Sequence, residues 1–281
     1  MKLLLASLAL AAFACTQANS FESPMHLTTL HKLAKVGGLK NGNRDIRPKI
    51  TGGEHATPGR FYYQAGLNID NSNFCGATII HESYVLTTAS CVYGGQTFTV
   101  YVGDIKLKSG QSVSSHEAII HEKYDPNGFS YDIALIHLPN PLTFNDRTID
   151  KINLPPNANF FNNIATISGW GTCEGVGLTS TLLFAQVSMI SNEDCKASYG
   201  DLITDSHICA QPIHEGSLNN QGICHGDLGG PLVAMYDIEN TRIEMALAGI
   251  SAFINDRGCG VGPDGYTRVS TFVDWIKSHI E

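Results

Sequence analysis

Several chemistries are excluded by what the 281 residues lack. No Cys-x-x-Cys and no His-Glu-x-x-His occurs, so neither a zinc ribbon nor a zincin site is written into the chain. The nearest approach is HEAIIH, where His116 and His121 are five apart, a spacing that suits neither zincin geometry nor one face of a strand. No metal and no cofactor is expected. Beyond the N-terminus no run reaches about 18 uninterrupted apolar residues, so no membrane span is expected there. Basic residues are scarce: positions 50–281 hold eleven Lys/Arg against 24 Asp/Glu, a net of −13. A body that negative argues against nucleic acid and anionic membranes as partners. Asn-x-Ser/Thr is also missing, so N-glycosylation is not expected.

The first residues, MKLLLASLALAAFACTQANS, have a lysine, an apolar run and then small polar residues, the pattern of a secretory signal over 1–20. Cleavage is expected after Ala18 or Ser20; a cut after Ala14 would retain Cys15. The mature chain is then extracellular. Residues 21–49 hold six Lys/Arg and two acids, net +4, with only a weak stripe at Leu27, Leu30 and Leu33 ended by Gly37 and Gly38. This reads as a basic, mostly disordered prosegment with the opposite charge to the body. Of eight cysteines, seven remain once Cys15 leaves with the signal. An oxidising compartment favours disulfides, one cysteine is left over, and spacing alone does not say which.

From Ile50 the texture changes to short runs rich in Val, Ile, Thr, Tyr and Phe, broken every 8 to 12 residues or so by Gly, Asn, Asp or Pro. FTVYVG (98–103), IALIHL (133–138), ATISGW (165–170) and LVAMY (232–236) are examples, and the class expected is all-β. Pro155 and Pro156 make a joint between two β units, about 50–155 and 156–281. STFVDWIKSHIE predicts one terminal helix, capped by Ser270 or Thr271, with Phe272, Trp275, Ile276 and Ile280 on its buried face.

Seven phrases then occur in order: ITGGEHATPGRFYYQAGL (50–67), FCGATII (74–80), VLTTASC (85–91), YDIALIHL (131–138), ISGWGT (167–172), CHGDLGGPL (224–232) and GYTRV (265–269). Together they resemble the chymotrypsin-like serine proteases, the trypsin superfamily, most closely the arthropod chymotrypsin and brachyurin type. The resemblance spans nearly all of 50–281. It implies two six-stranded antiparallel barrels with a C-terminal helix and the active cleft between them. It also implies disulfides Cys75 to Cys91, Cys195 to Cys209 and Cys224 to Cys259, leaving Cys173 as a buried free thiol or a bridge to another chain.

Hydrolysis on such a scaffold needs a serine hydroxyl, an imidazole to take its proton, and an aspartate to orient the imidazole. The resemblance places Asp132 at the acid position. Where the family reads Ala-His-Cys this chain reads Ala89-Ser90-Cys91, and where the family reads GDSGG it reads Gly226-Asp227-Leu228-Gly229-Gly230. Ser90 is no base near neutral pH, and an isobutyl group has no lone pair to attack with. Leu228 is also expected to fill the space before the backbone N–H groups of Gly226 and Leu228, where an oxyanion would sit. In the specificity region, Gly222 stands at the pocket base, His225 at the rim and Asp264 on the wall. Ala252 takes the place of a serine that would bond the catalytic acid, and Phe253 and Ile254 line the substrate strand, Ile254 narrowing the pocket. Lys49 precedes Ile50 as a trypsin-like cleavage point, with Asp227 placed to meet the freed α-amine.

The function expected is a secreted pseudoprotease that binds a peptide or protein through a retained cleft, an active protease or a protease inhibitor among the candidates, in the regulation of proteolysis or immunity. The alternatives are an inactive relic of a digestive endopeptidase and, less in keeping with the residues, residual endopeptidase activity.

Overall fold

A computed structural model describes residues 50, 52–156, 160–171, 177–213, 221–238 and 242–280, with the side chain of Phe161 excepted. The expected signal (1–20), the prosegment (21–49) with Lys49, and Cys173 lie outside the described residues.

Alternating apolar and polar side chains give strands that bury one face. In Phe98–Val102, Phe98, Val100 and Val102 point inward while Thr99 and Tyr101 are half-exposed. The strands of the N-terminal half are β1 (Glu54–His55), β2 (Gln64–Ile69), β3 (Asn73–His81), β4 (Tyr84–Thr87), β5 (Phe98–Val102), β6 (Gln111–Ser115), β7 (Ala118–Ile120) and β8 (Ala134–His137), with a four-residue helix α1 (Ala89–Val92) after β4. The C-terminal half holds β9 (Phe160–Gly169), β10 (Leu183–Ile190), α2 (Asn192–Tyr199), β11 (His207–Pro212), β12 (Pro231–Ile238), β13 (Arg242–Phe253), β14 (Asp264–Arg268) and α3 (Val273–Ile280).

Both sheets are antiparallel. In the C-terminal one, β10-β11-β14-β13-β12-β9 closes on itself because β9 also pairs with β10. The N-terminal sheet runs β6-β5-β2-β3-β4-β8-β7 and curls rather than closing by a ladder. Its two edge strands are joined through His116 and Glu117 alone, and Ser115 Oγ donates to the carbonyl of His137 across the gap at 2.6 Å. It is therefore six strands around only if β6 and β7 count as one bent strand.

The chain crosses between the halves near both ends. β1 pairs with β10, and Ile50 is fully buried in the C-terminal core with Ile167, Leu183 and Tyr266. At the other end, Phe272 and Ile276 pack into a core shared by Leu86 and Leu135 of the first half and Trp170, Phe184 and Leu247 of the second. Each such side chain contributes about 1.5–3 kcal/mol, so this shared core fixes the cleft between the halves. His121 is part of this joint, ringed by Tyr131, Phe272 and Trp275, whereas His116 lies apart against the carbonyl of Gln96.

The terminal helix starts differently from the sequence expectation. A 3-10 turn over Val269–Phe272 leads into α3, so neither Ser270 nor Thr271 caps it. Thr271 instead donates its hydroxyl to the carbonyl of Asp205, which anchors the turn to the preceding loop.

Candidate functional site

The cleft is built from two short segments facing each other. On the first, β4 ends at Thr87 and α1 presents Ser90. The backbone N–H of Ser90 donates to Asp132 Oδ1 at 2.7 Å, and its hydroxyl donates to Oδ2 at 2.8 Å. Thr88 Oγ1 lies 3.2 Å from the same hydroxyl. Asp132 is fully buried, and Thr267 Oγ1 donates to its backbone carbonyl. Burial pushes the Asp132 carboxyl up to about 6, against the downward pull of the bonds from Ser90 and the Ala89 N–H. Ala252, buried on β13, supplies no hydrogen bond to it. Together, Ser90 and Asp132 form a hydroxyl bonded to a carboxylate, with no imidazole between them.

The second segment is the turn from Cys224 to Gly230, held by the Cys224–Cys259 disulfide. Asp227 lies beneath it, fully buried, accepting from the N–H of Gly171 at 2.7 Å and of Cys224 at 3.0 Å. A Cβ on Gly171 would come within 2.6 Å of that carboxylate, which is why glycine stands there. Burial pushes Asp227 up to about 7, and among the described residues no lysine or arginine forms an ion pair with it. Leu228 is half-buried and packs against the cores of both halves, while its carbonyl accepts from the N–H of Gly76 at 2.7 Å. Gly226 has φ +95°, and a Cβ there would meet Leu178 at 2.3 Å. Among the described residues neither the Gly226 nor the Leu228 N–H donates to a backbone carbonyl.

In the specificity region, Gly222 is buried and its Cα lies against Asp264, whose Oδ2 would be 2.8 Å from a Cβ there. Asp264 accepts from the N–H groups of Ile223 and Asn255, both at 3.1 Å, and burial pushes it up to about 8, with Asp227 adding to the rise. Burial thus favours its neutral form, and its two N–H donors make it a backbone clamp. The hydroxyl of Tyr266, near both acids, is buried with no partner among the described residues. Ile254 is half-buried against the C-terminal core, and His225 is half-buried. The other two bridges are Cys75–Cys91, which ties β3 to α1, and Cys195–Cys209, which ties α2 to β11.

Several neighbours of these positions were not singled out from sequence: Phe129, Tyr199 and His207 around Phe253, Tyr93 and Tyr124 near Asp132, and Leu178 over Gly226. Phe253 sits among Phe129 (ring centroids 4.7 Å apart), Tyr199 (5.1 Å) and His207 (5.9 Å). Tyr124 lies near Asp132, whose charge adds to the rise that burial imposes on its phenol, and Tyr93 stacks edge-on against it at 5.8 Å. Leu178 covers Gly226 from a loop 48 residues earlier. No sequence signal marks any of them, since each is brought in by tertiary contact. Among the described residues no three His, Cys, Asp or Glu side chains gather closely enough to hold a metal ion.

Comparison with known proteins places this geometry. The Trypsin family matches residues 50–276. Brachyurin from Leptuca pugilator is 34% identical over 236 residues, covering 82% of this chain and 97% of its own. Trypsin-1 from Astacus astacus is 34% identical over 247 residues, covering 82% and 99%. A solved structure of HL collagenase superposes with a TM-score of 0.69 at 32% identity, covering 81% of this chain and 96% of that one. On these matches the chain belongs to the trypsin family of chymotrypsin-like serine proteases.

Proposed function

We propose that this chain is a secreted serine protease homologue that has lost hydrolysis and binds a peptide or protein partner through its cleft. The observation that carries this reading is the 2.8 Å bond from Ser90 Oγ to Asp132 Oδ2. In the family an imidazole would lie between acid and nucleophile; here the acid's partner is a hydroxyl, which takes up no proton near neutral pH. Leu228 at the nucleophile position presents carbon only. In a protease with the same triad on another fold, loss of nucleophile or base removes about 10⁶-fold in kcat, leaving about 10³ to 10⁴ over water.

What supports a remaining binding role is the intact framework: the disulfides, the turn over Asp227, and the Gly226 and Leu228 N–H groups, which have no backbone acceptor among the described residues. Such donors suit the backbone carbonyls of an extended peptide. Three disulfides fit an oxidising, extracellular destination, and the N-terminal signal and a cut after Lys49 belong to the same reading.

The test is incubation of the purified chain, cleaved after Lys49, with peptide esters and a denatured protein, alongside affinity capture from the fluid of the secreting tissue. No turnover and saturable retention of a defined partner are expected. Repeated cleavage that disappears in Asp132→Ala would overturn the reading, and neither turnover nor retention would favour a relic.

A further inference from the structure

The site of the missing imidazole has chemistry of its own. Ser90 is half-buried, whereas Asp132 and Thr88 beneath it are shut off from solvent. Anything entering the cleft therefore meets the Asp132 carboxylate only through the Ser90 hydroxyl. That hydroxyl has one proton, held by the short charge-assisted bond to Asp132; the Thr88 hydroxyl at 3.2 Å takes one of its lone pairs, and the other is left for a donor from the cleft. A serine side chain is much smaller than an imidazole, so Ser90 itself does not fill the volume that a histidine at this position would take, and that volume is the recess. Two aromatic groups are close to Asp132. Tyr124 lies close enough to Asp132 to feel its charge, and Tyr93, 59% exposed, stands edge-on to Tyr124. Among the described residues no lysine, arginine or histidine forms an ion pair with Asp132.

We propose that this recess receives a basic side chain presented by a protein partner, its N–H donor on Ser90 Oγ, its charge toward Asp132 and its stem along Tyr93 and Tyr124. The inference rests on the binding reading above and specifies what the partner must offer. The three features act together: a hydroxyl acceptor backed by a carboxylate favours a donor, the buried negative charge favours a cation over a neutral donor, and aromatic faces add to the attraction for a cation. The net charge of −13 on residues 50–281 draws a cationic partner to the body as a whole. An acidic or neutral insert gains none of these terms.

The probe is n-butylammonium, a free lysine side chain, with 1-butanol as its uncharged counterpart, titrated into the full chain and followed by NMR. Butylammonium is expected to shift the Ser90, Tyr93 and Tyr124 resonances saturably, with a dissociation constant on the order of millimolar, and 1-butanol to leave them without saturable shifts. Ser90→His, which refills the recess, is expected to weaken binding at least tenfold, as is the isosteric Asp132→Asn. Unchanged amide spectra far from the cleft would show that both variants are folded. Equal response to 1-butanol, undiminished binding by folded Ser90→His, or shifts confined to Gly222 and Asp264 would each overturn the proposal. A partner captured equally well by the parent chain and by Ser90→His would sink the recess and leave the binding reading standing. Turnover of peptide would sink that reading without bearing on these shifts.

Discussion

Cleaving the chain after Lys49 should change how its stability depends on pH, and Asp227 sets the size of the effect. In the intact chain this carboxyl is fully buried, with its pKa lifted by burial from 3.8 to about 7 and, among the described residues, no lysine or arginine paired with it. A buried acid whose pKa is raised on folding contributes its stability in full below about pH 4 and loses it as the pH climbs through about 7. Cleavage turns the Ile50 nitrogen into an α-amine with an ordinary pKa of about 7.7 to 8. The Ile50 side chain is already seated in the C-terminal core. If that amine meets Asp227, the carboxylate is held ionised and the loss is cancelled. Returning the carboxyl from about 7 to its ordinary value is worth about 4 kcal/mol, at about 1.4 kcal/mol per pH unit. This agrees with the roughly 3–5 kcal/mol at stake when a buried pair is broken. Urea unfolding of intact and cleaved chain should therefore show a stability difference that is small at pH 4.5 and grows by about 2–4 kcal/mol at pH 7.5. Asp132, also raised, titrates in both forms and drops out of the difference, whereas Asp264, whose rise Asp227 adds to, is coupled to Asp227 and its share is removed with it in Asp227→Asn. In Asp227→Asn the growth should vanish. The same difference at both pH values in the unsubstituted chain would refute the pairing.

Other outcomes follow from the same geometry. Ser90→His with Leu228→Ser is expected to bring peptide-ester hydrolysis above background, while either change alone leaves it at background, because base and nucleophile act as a unit; hydrolysis by a single variant would contradict this. Gly226→Ala should destabilise the fold by about 1–3 kcal/mol in urea unfolding, since φ is +95° and Leu178 lies 2.3 Å from the added Cβ. Phe253→Ala, which empties the centre of the Phe129, Tyr199 and His207 cluster, should cost about 3–5 kcal/mol by the same measurement.

How far the sequence could be read depended on whether a feature is local. Alternation in FTVYV marks β5 because side-chain direction along a strand follows directly from residue order. LVAMY falls inside β12 and ATISG inside β9 for the same reason. The 3-10 entry to α3 was not legible, since Thr271 is drawn away from capping by a carbonyl 66 residues earlier in the chain. Nor was the crossing of β1 to β10, which depends on where Ile50 finds a core. Within the site, Asp132, Ser90 and Leu228 could be named because they stand inside recognisable phrases. That Asp264 is a backbone clamp could not, because its character comes from burial and from two N–H donors on other segments.

The presence of Asp132 is explained without any appeal to catalysis. Its carboxylate accepts the N–H groups of Ala89 and Ser90 at the first turn of α1, where Thr88 makes no side-chain cap. The first N–H groups of a helix have no partner within it, so Asp132 supplies from another segment the acceptor that α1 lacks. Its own backbone carbonyl takes the Thr267 hydroxyl of β14, which ties this corner of the N-terminal half to the C-terminal barrel at 2.7 Å. An acid held by the fold in this way persists whether or not an imidazole stands over it, so its presence is no sign of hydrolysis. Asp132→Asn should separate the two roles: the amide has one good acceptor instead of two, and a loss of about 1–3 kcal/mol is expected from the donor left unsatisfied. If Asp132→Asn unfolds at the same urea concentration as the parent, the N–H groups of α1 do not depend on this carboxylate, and the structural account of its retention fails.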